Sequence, residues 1–153
     1  MDSFILALQQ SALGEFLDNS RNVAIALQVL HILFFTAVLA VVMVLALRVW
    51  GVLFKDRPVH ELSQGLRQYY RLTLVLALLA GFLQSLPRLL AYSHNSPFVA
   101  KLLFLVIAIF VQGLLHHRLA QHQLKTGLNK TLALLSVLFW VLAAAAGRAI
   151  GFV

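Results

Sequence analysis

The sequence predicts an all-α protein: a four-helix transmembrane bundle preceded by an amphipathic helix in the membrane interface. Of the 153 residues, 61% are hydrophobic and 11% are charged, whereas a soluble domain is about half apolar and about a quarter charged. Four long apolar runs are separated by polar stretches, and about 20 apolar residues cross a bilayer. We therefore expect one integral membrane domain over residues 1–153, and we exclude a soluble enzyme and a disordered tail.

The first element is a predicted amphipathic helix over residues 4–17. Its apolar side chains, such as Phe4, Leu8 and Phe16, fall near one face, while Gln9 and Glu15 fall elsewhere. This pattern is typical of a helix that lies in the membrane interface. The segment has acidic residues and no basic start, so we expect the chain to be inserted without removal of a signal peptide.

Four membrane spans follow the amphipathic helix. The first contains no charged residue between Arg21 and Arg48, and a Ser-His-Asn-Ser-Pro turn separates the second from the third. Such residue types favour a tight reversal of the chain. The predicted spans cover residues 22–50, 72–92, 98–117 and 131–147.

The basic residues predict the orientation of the bundle. The predicted loops 48–71 and 118–130 together hold eight Lys or Arg and two acids, and loops rich in Lys and Arg stay in the cytoplasm. Both termini are then expected on the outer, periplasmic side of a bacterial inner membrane. The net charge of +7 is spread between apolar runs, so no nucleic-acid partner is expected.

Several kinds of chemistry are excluded by composition. The chain has no cysteine, which excludes disulfides, iron–sulfur clusters and thiolate zinc sites. The predicted spans contain no Asp or Glu, which argues against paired carboxylates and oxygen-type metal sites. No catalytic residue is predicted, and we expect that the protein is not an enzyme on its own.

A polar cluster on the outer side of the membrane is the first candidate site. Charged and polar groups inside a membrane are costly and therefore point to function. We predict a cofactor site whose members come from all four spans: Gln28, His31, Gln84, Arg88, Lys101 and Arg148.

His31 is the predicted iron ligand in this cluster, because haem b takes axial imidazole and lies inside helix bundles. Arg88, Lys101 and Arg148 would pair with haem propionates. The alternatives are a helix–helix hydrogen bond from His31 to a nearby glutamine, and contact of the cations with lipid headgroups. The cluster also suits a quinone. His94 is a weak candidate for a second ligand.

A second cluster lies on the cytoplasmic side. Gln112 and His116 are four residues apart and share a helix face. His116 is a weak candidate metal ligand, and the ordinary interpretation is an interface histidine near a helix end.

Parts of the sequence resemble a family of small bacterial inner-membrane proteins that is known only as a domain of unknown function. The resemblance rests on "VLHILFFTAVLAVVMVLALRVWG", "RPVHELSQGLRQYY", "LLAGFLQSLPRLLAYSHNSPFVAKLLFLVIA" and "LLHHR". Its motifs fall on His31, on Arg48 and Gly51, and on a turn at Asn95–Phe98 before Lys101. The turn departs slightly from the usual order.

A more distant resemblance is to copper-resistance D-type and cytochrome b561-like four-helix proteins. It implies architecture more than function. The haem ligands of cytochrome b561-like proteins do not transfer in full, because the predicted second and fourth spans contain no histidine.

Together these patterns predict a small inner-membrane subunit that binds b-type haem or quinone and passes electrons to a partner. One alternative is a non-catalytic assembly or interaction subunit of a larger membrane complex. Another is a helper in metal import or transport. The lipid bilayer is the expected surrounding, with a homo-oligomer or a larger complex as the assembly.

Overall fold

A computed structural model describes residues 2–122 and 126–152 of the chain. Throughout these ranges the regular structure is helical, so the predicted all-α fold is confirmed. Lys125, which belongs to the predicted loop 118–130, lies outside the described residues. In chain order the helices are α1 (Asp2–Gln9), α2 (Ala12–Asn19), α3 (Arg21–Val49), α4 (Val59–Ser85), a 3-10 turn (Leu86–Arg88), α5 (Leu89–Ser93), α6 (Ser96–Ala120), α7 (Thr126–Ala149) and a 3-10 turn (Ile150–Phe152).

Four helical segments are long and apolar enough to cross a membrane: Arg21–Val49, Val59–Ser93, Ser96–Ala120 and Thr126–Phe152. Helix α3 packs on α4, and α6 packs on α7. We call the end that carries the connections after α3 and after α6 the loop face. The opposite end, which carries α1, α2 and α5, is the terminal face.

The N-terminal segment is two helices, so the prediction of one helix over 4–17 is wrong in this respect. Ser11 separates α1 from α2, and its hydroxyl oxygen accepts a hydrogen bond from the Gly14 backbone N–H at 3.2 Å. Serine is a preferred residue at this helix-capping position. A Cβ atom at Gly14 would overlap the carbonyl oxygen of Gln9, so the close approach of the two helices requires glycine.

The second span is longer than predicted at its loop-face end. The helix begins at Val59 rather than at residue 72, directly after Pro58, and proline is well suited to helix starts. The predicted loop 48–71 is therefore only the connection 50–58. The predicted span 72–92 contains no histidine, but the longer helix includes His60 in its first turn.

Pro87 ends the regular part of the second span near the terminal face. Proline has no backbone N–H and disrupts the preceding helix, and the chain here forms the 3-10 turn and then α5. The backbone N–H of Leu90 donates to Oε1 of Gln9 at 3.2 Å. This hydrogen bond attaches α1 to the irregular end of the second span.

Close packing is concentrated in the half of the bundle near the loop face. One apolar cluster includes Leu45, Leu115 and Leu132, and another includes Val38 and Trp140. In α3 no residue before Val38 is buried, and in α6 none before Ala108 is buried. The beginnings of these two helices, at the terminal face, are therefore the open half of the bundle.

Candidate functional site

His31 lies in the open half, on α3, and is half-buried. Its ring atom Nδ1 is 2.9 Å from the backbone carbonyl oxygen of Ala77 on α4. A carbonyl oxygen only accepts hydrogen bonds, so Nδ1 carries the proton and donates. In the neutral imidazole Nε2 then keeps its lone pair, and no hydrogen bond to Nε2 occurs among residues 2–122 and 126–152.

Gly81 fixes the position of the His31 ring against α4. A Cβ atom at Gly81 would lie 2.7 Å from Cε1 and 2.9 Å from Nδ1 of His31. These distances are too short for a real side chain, so the ring rests directly on the backbone of α4. The Phe35 ring lies on the other side along α3, with ring centroids 6.2 Å apart.

Lys101 brings a positive charge into the same half of the bundle. Its side chain passes Gly147 of α7, where an added Cβ would be 3.4–3.6 Å from the outer side-chain atoms. Helices α6 and α7 contain no acidic residue, so no carboxylate of these two helices pairs with Lys101. An intramembrane cation of this kind suits an anionic group of a ligand.

The other predicted members of the outer cluster form no hydrogen bond with His31 in the described residues. Gln28, Gln84 and Arg88 are exposed. The expected hydrogen bond between His31 and a glutamine is absent from the described residues, because the Ala77 carbonyl takes the ring proton. Arg148 is also exposed, and its guanidinium lies 5.0 Å from the centre of the Phe152 ring.

His94 is engaged locally at the terminal face. It is exposed just after α5, and its Nδ1 is 3.1 Å from the Leu90 carbonyl oxygen and 3.2 Å from Oγ of Ser93. The hydrogen bonds of His94 therefore stay within its own turn, and none joins it to His31 in the described residues.

A second polar group, which we call the closed network, lies in the packed half near the loop face. Nδ1 of His116 is 2.8 Å from Oγ of Ser63, and Nε2 of His116 is 3.1 Å from Nε2 of Gln112. Ser136 donates to Oε1 of Gln112 at 2.6 Å. All four side chains are buried, so the network joins α4, α6 and α7 inside the bundle.

Both ring nitrogens of His116 are occupied in the closed network. The Gln112 amide nitrogen donates to Nε2, so Nε2 accepts, and Nδ1 must carry the proton that is donated to Ser63. The sequence showed the Gln112–His116 pair through its spacing. It gave no signal for Ser63 and Ser136, which come from other helices.

Aromatic rings connect the two sites through the bundle. From His31 the successive centroid distances are 6.2 Å to Phe35, 5.6 Å to Trp140, 6.3 Å to Tyr70 and 5.6 Å to His116. Trp140 and Tyr70 are buried, and neither Nε1 of the indole nor the phenol oxygen has a hydrogen-bond partner in the described parts of the chain.

At the loop face, the rings of His60 and His122 lie with their centroids 4.3 Å apart. Over residues 2–122 and 126–152 there is no group of three or more His, Cys, Asp or Glu side chains that could hold a metal ion.

The comparisons with known proteins identify a family and no individual relative. The model of DUF6644, a family of unknown function, matches residues 11–153. No curated protein matches the chain, and no solved structure matches it. The predicted resemblance to a family of unknown function is thus confirmed, and no match bears on the distant likeness to copper-resistance D-type or cytochrome b561-like proteins.

Proposed function

The chain belongs to the DUF6644 family, and we propose that it binds b-type haem in the open half of its membrane bundle and transfers electrons to a partner. The observation that carries this proposal is the state of His31. Its Nδ1 donates to the Ala77 carbonyl, and its Nε2 lone pair is left for a ligand.

A histidine that binds a metal usually donates its other ring N–H to a carboxylate, a backbone carbonyl or water. That second bond fixes the tautomer and the ring orientation. His31 has this arrangement with Ala77, and Gly81 allows the ring to lie on the helix backbone. The residues present therefore fit an axial ligand of haem iron, which takes imidazole nitrogen.

The same tautomer favours haem over quinone as the ligand of His31. Quinone carbonyl oxygens accept hydrogen bonds, and an Nε2 atom without a proton cannot donate one. Lys101, in the same half of the bundle, could donate to such a carbonyl, but His31 itself could not. Iron ligation uses the lone pair directly.

Lys101 supports the proposal by its charge. Haem b carries two carboxylate groups, and a charge-assisted hydrogen bond to a carboxylate is stronger than a neutral one. The Lys101 side chain lies along Gly147, where the missing Cβ leaves space. Arg88 and Arg148 are exposed at the terminal face, where they would meet a carboxylate only near the membrane surface.

His94 is bonded locally to Leu90 and Ser93, so His31 is the one imidazole that we assign to this site in each chain. We propose that a second copy of the chain would supply the second iron ligand in a homo-oligomer. The mass of the haem-loaded protein in detergent, measured by light scattering, tests this point. A haem-loaded monomer would contradict it without affecting His31 as a ligand.

We further propose a bacterial inner membrane with the loop face in the cytoplasm and both termini outside. The loop face carries Arg48, Lys55 and Arg57 at the first connection, and such residues are retained in the cytoplasm. A reporter fused to the C-terminus should be active only when the reporter is one that works outside the cytoplasm. Activity of a cytoplasmic reporter there would contradict this orientation.

Haem titration of the purified protein in mild detergent tests the cofactor directly. We expect a Soret band that saturates at a fixed haem-to-chain ratio, and loss of that band in His31→Ala. His94→Ala, which removes an exposed histidine at the same face, is the matched control and should retain the band. If the wild-type protein shows no Soret band and copurifies with other membrane proteins, the haem proposal is wrong. The chain is then interpreted as a non-catalytic assembly subunit.

A further inference from the structure

Three buried hydrogen-bond donors in the packed half lack an acceptor in the described structure. Two are Nε1 of Trp140 and the hydroxyl of Tyr70. The third is the hydroxyl hydrogen of Ser63. Its oxygen accepts from Nδ1 of His116, and the serine has no other hydrogen bond among the described residues. Leaving such groups unpaired in a protein interior is costly, and native proteins rarely do so.

The three donors belong to one region of the bundle. The Tyr70 ring lies 6.3 Å from the Trp140 ring and 5.6 Å from the His116 ring, centre to centre. His116 itself contacts Ser63. Side chains on a helix lean toward its N-terminus, and α4 and α7 both begin at the loop face. Tyr70 and Trp140 therefore lean toward the closed network.

Burial limits what could accept these hydrogen bonds. Tyr70 is 5% exposed and Trp140 is 0% exposed, and their polar atoms cannot be reached from outside the bundle. A quinone or a similar ligand would have to separate the helices to enter. Water needs the least space, and a buried water typically makes about three hydrogen bonds.

We propose that an internal water site lies between Trp140, Tyr70 and the closed network. Because one water accepts at most two hydrogen bonds, the site holds at least two waters, which together accept from Nε1–H of Trp140 and from the hydroxyls of Tyr70 and Ser63. The site extends the chain Ser63–His116–Gln112–Ser136 toward the middle of the membrane. The packed half is then held together by a hydrated polar link between α4, α6 and α7.

The Trp140 indole reports on this site directly. In a Trp50→Phe background Trp140 is the one remaining tryptophan, so its ultraviolet resonance Raman signal gives the hydrogen bonding of Nε1–H. We expect a hydrogen-bonded N–H that exchanges in D2O while the helix content stays at the wild-type level. A free N–H that does not exchange would show a dry interior and would overturn the proposal.

Tyr70→Phe removes one partner of the waters, and Tyr69→Phe, at an exposed neighbour, is the matched control. We expect the Trp140 signal to shift toward a free N–H and the melting temperature to fall by a few degrees, with no change in Tyr69→Phe. If the hydroxyl is dry, its removal relieves an unpaired polar group. The melting temperature would then rise with the Trp140 signal unchanged, which would overturn the proposal.

Discussion

His31 and His116 are the same side chain in two differently packed halves of one bundle. His31 lies in the open half with one ring nitrogen bonded to a backbone carbonyl. His116 lies in the packed half with both ring nitrogens bonded to side chains. The two histidines differ in their hydrogen bonding. His31 has a ring nitrogen available for a ligand, whereas His116 holds helices together.

The surrounding packing differs in the same way. The buried apolar residues of α3 and α6 all lie in the half near the loop face. Stability is therefore concentrated there, and the open half has fewer packing restraints. Binding regions of proteins are commonly drawn from such less stable parts.

The largest expected effect on stability is from His116→Ala. This change removes two buried hydrogen bonds, leaves Nε2 of Gln112 and Oγ of Ser63 without their His116 partner, and creates a cavity. We expect the free energy of unfolding in mixed micelles to fall by about 2 kcal/mol. His117→Ala, at an exposed neighbour, should change it little. Equal effects of the two substitutions would contradict the structural role given to His116.

A smaller effect is expected from Gly81→Ala, which tests the position of the His31 ring. The new Cβ would collide with Cε1 and Nδ1 of His31, so the ring must move and its bond to Ala77 weakens. We expect haem affinity to fall about tenfold, because support of a ligating histidine by its second bond contributes that much or more. Gly113→Ala, where no atom lies within 4 Å of the added Cβ, is the control. Unchanged haem affinity in Gly81→Ala would show that haem binding does not depend on the position of the His31 ring.

The prediction of the fold from sequence succeeded where apolar runs are long. The beginning of α4 was missed because residues 59–71 carry several charges and were assigned to a loop. In the structure Arg67 and Arg71 are exposed, while Ser63 and Tyr70 of the same helix are buried. Helical periodicity continues through this stretch, although the mean hydropathy falls.

The sequence indicates some polar residues of the two clusters but not their hydrogen-bond partners. His31 and Lys101 could be identified because polar residues in apolar runs are conspicuous. The Ala77 carbonyl could not be identified as a partner, because every residue has a carbonyl and the rotation of α4 decides which one faces His31. The Ser63–His116 bond joins residues 53 positions apart, and Ser63 lies in the charged stretch that was assigned to a loop, so no sequence pattern indicated this bond.

Lys101→Met tests whether the Lys101 charge contributes to haem binding in the open half. Its expected effect on haem affinity is smaller. Loss of the cation removes a propionate partner and a positive charge near the iron. We expect haem affinity to fall a few-fold and the midpoint potential to become more negative, because a nearby positive charge disfavours the ferric state. Redox titration measures the potential, and Lys130→Met, at an exposed lysine of the loop-face end of α7, is the control. A potential that rises or stays constant in Lys101→Met would place the haem away from this lysine.

The smallest effect is expected from Gln84→Ala. Gln84 is exposed and does not bond to His31 in the structure, although the sequence pattern grouped the two. Haem affinity and stability should both stay within the error of wild type. A large loss of haem affinity in Gln84→Ala would show that Gln84 contributes to the site.

The comparison of the two histidines is tested most directly by reduced-minus-oxidised difference spectra of membranes that contain equal amounts of wild type, His31→Ala or His116→Ala protein. The account predicts a b-type signal in wild type that is absent in His31→Ala and retained by the folded fraction of His116→Ala. A signal that survives in His31→Ala and disappears in His116→Ala would contradict it.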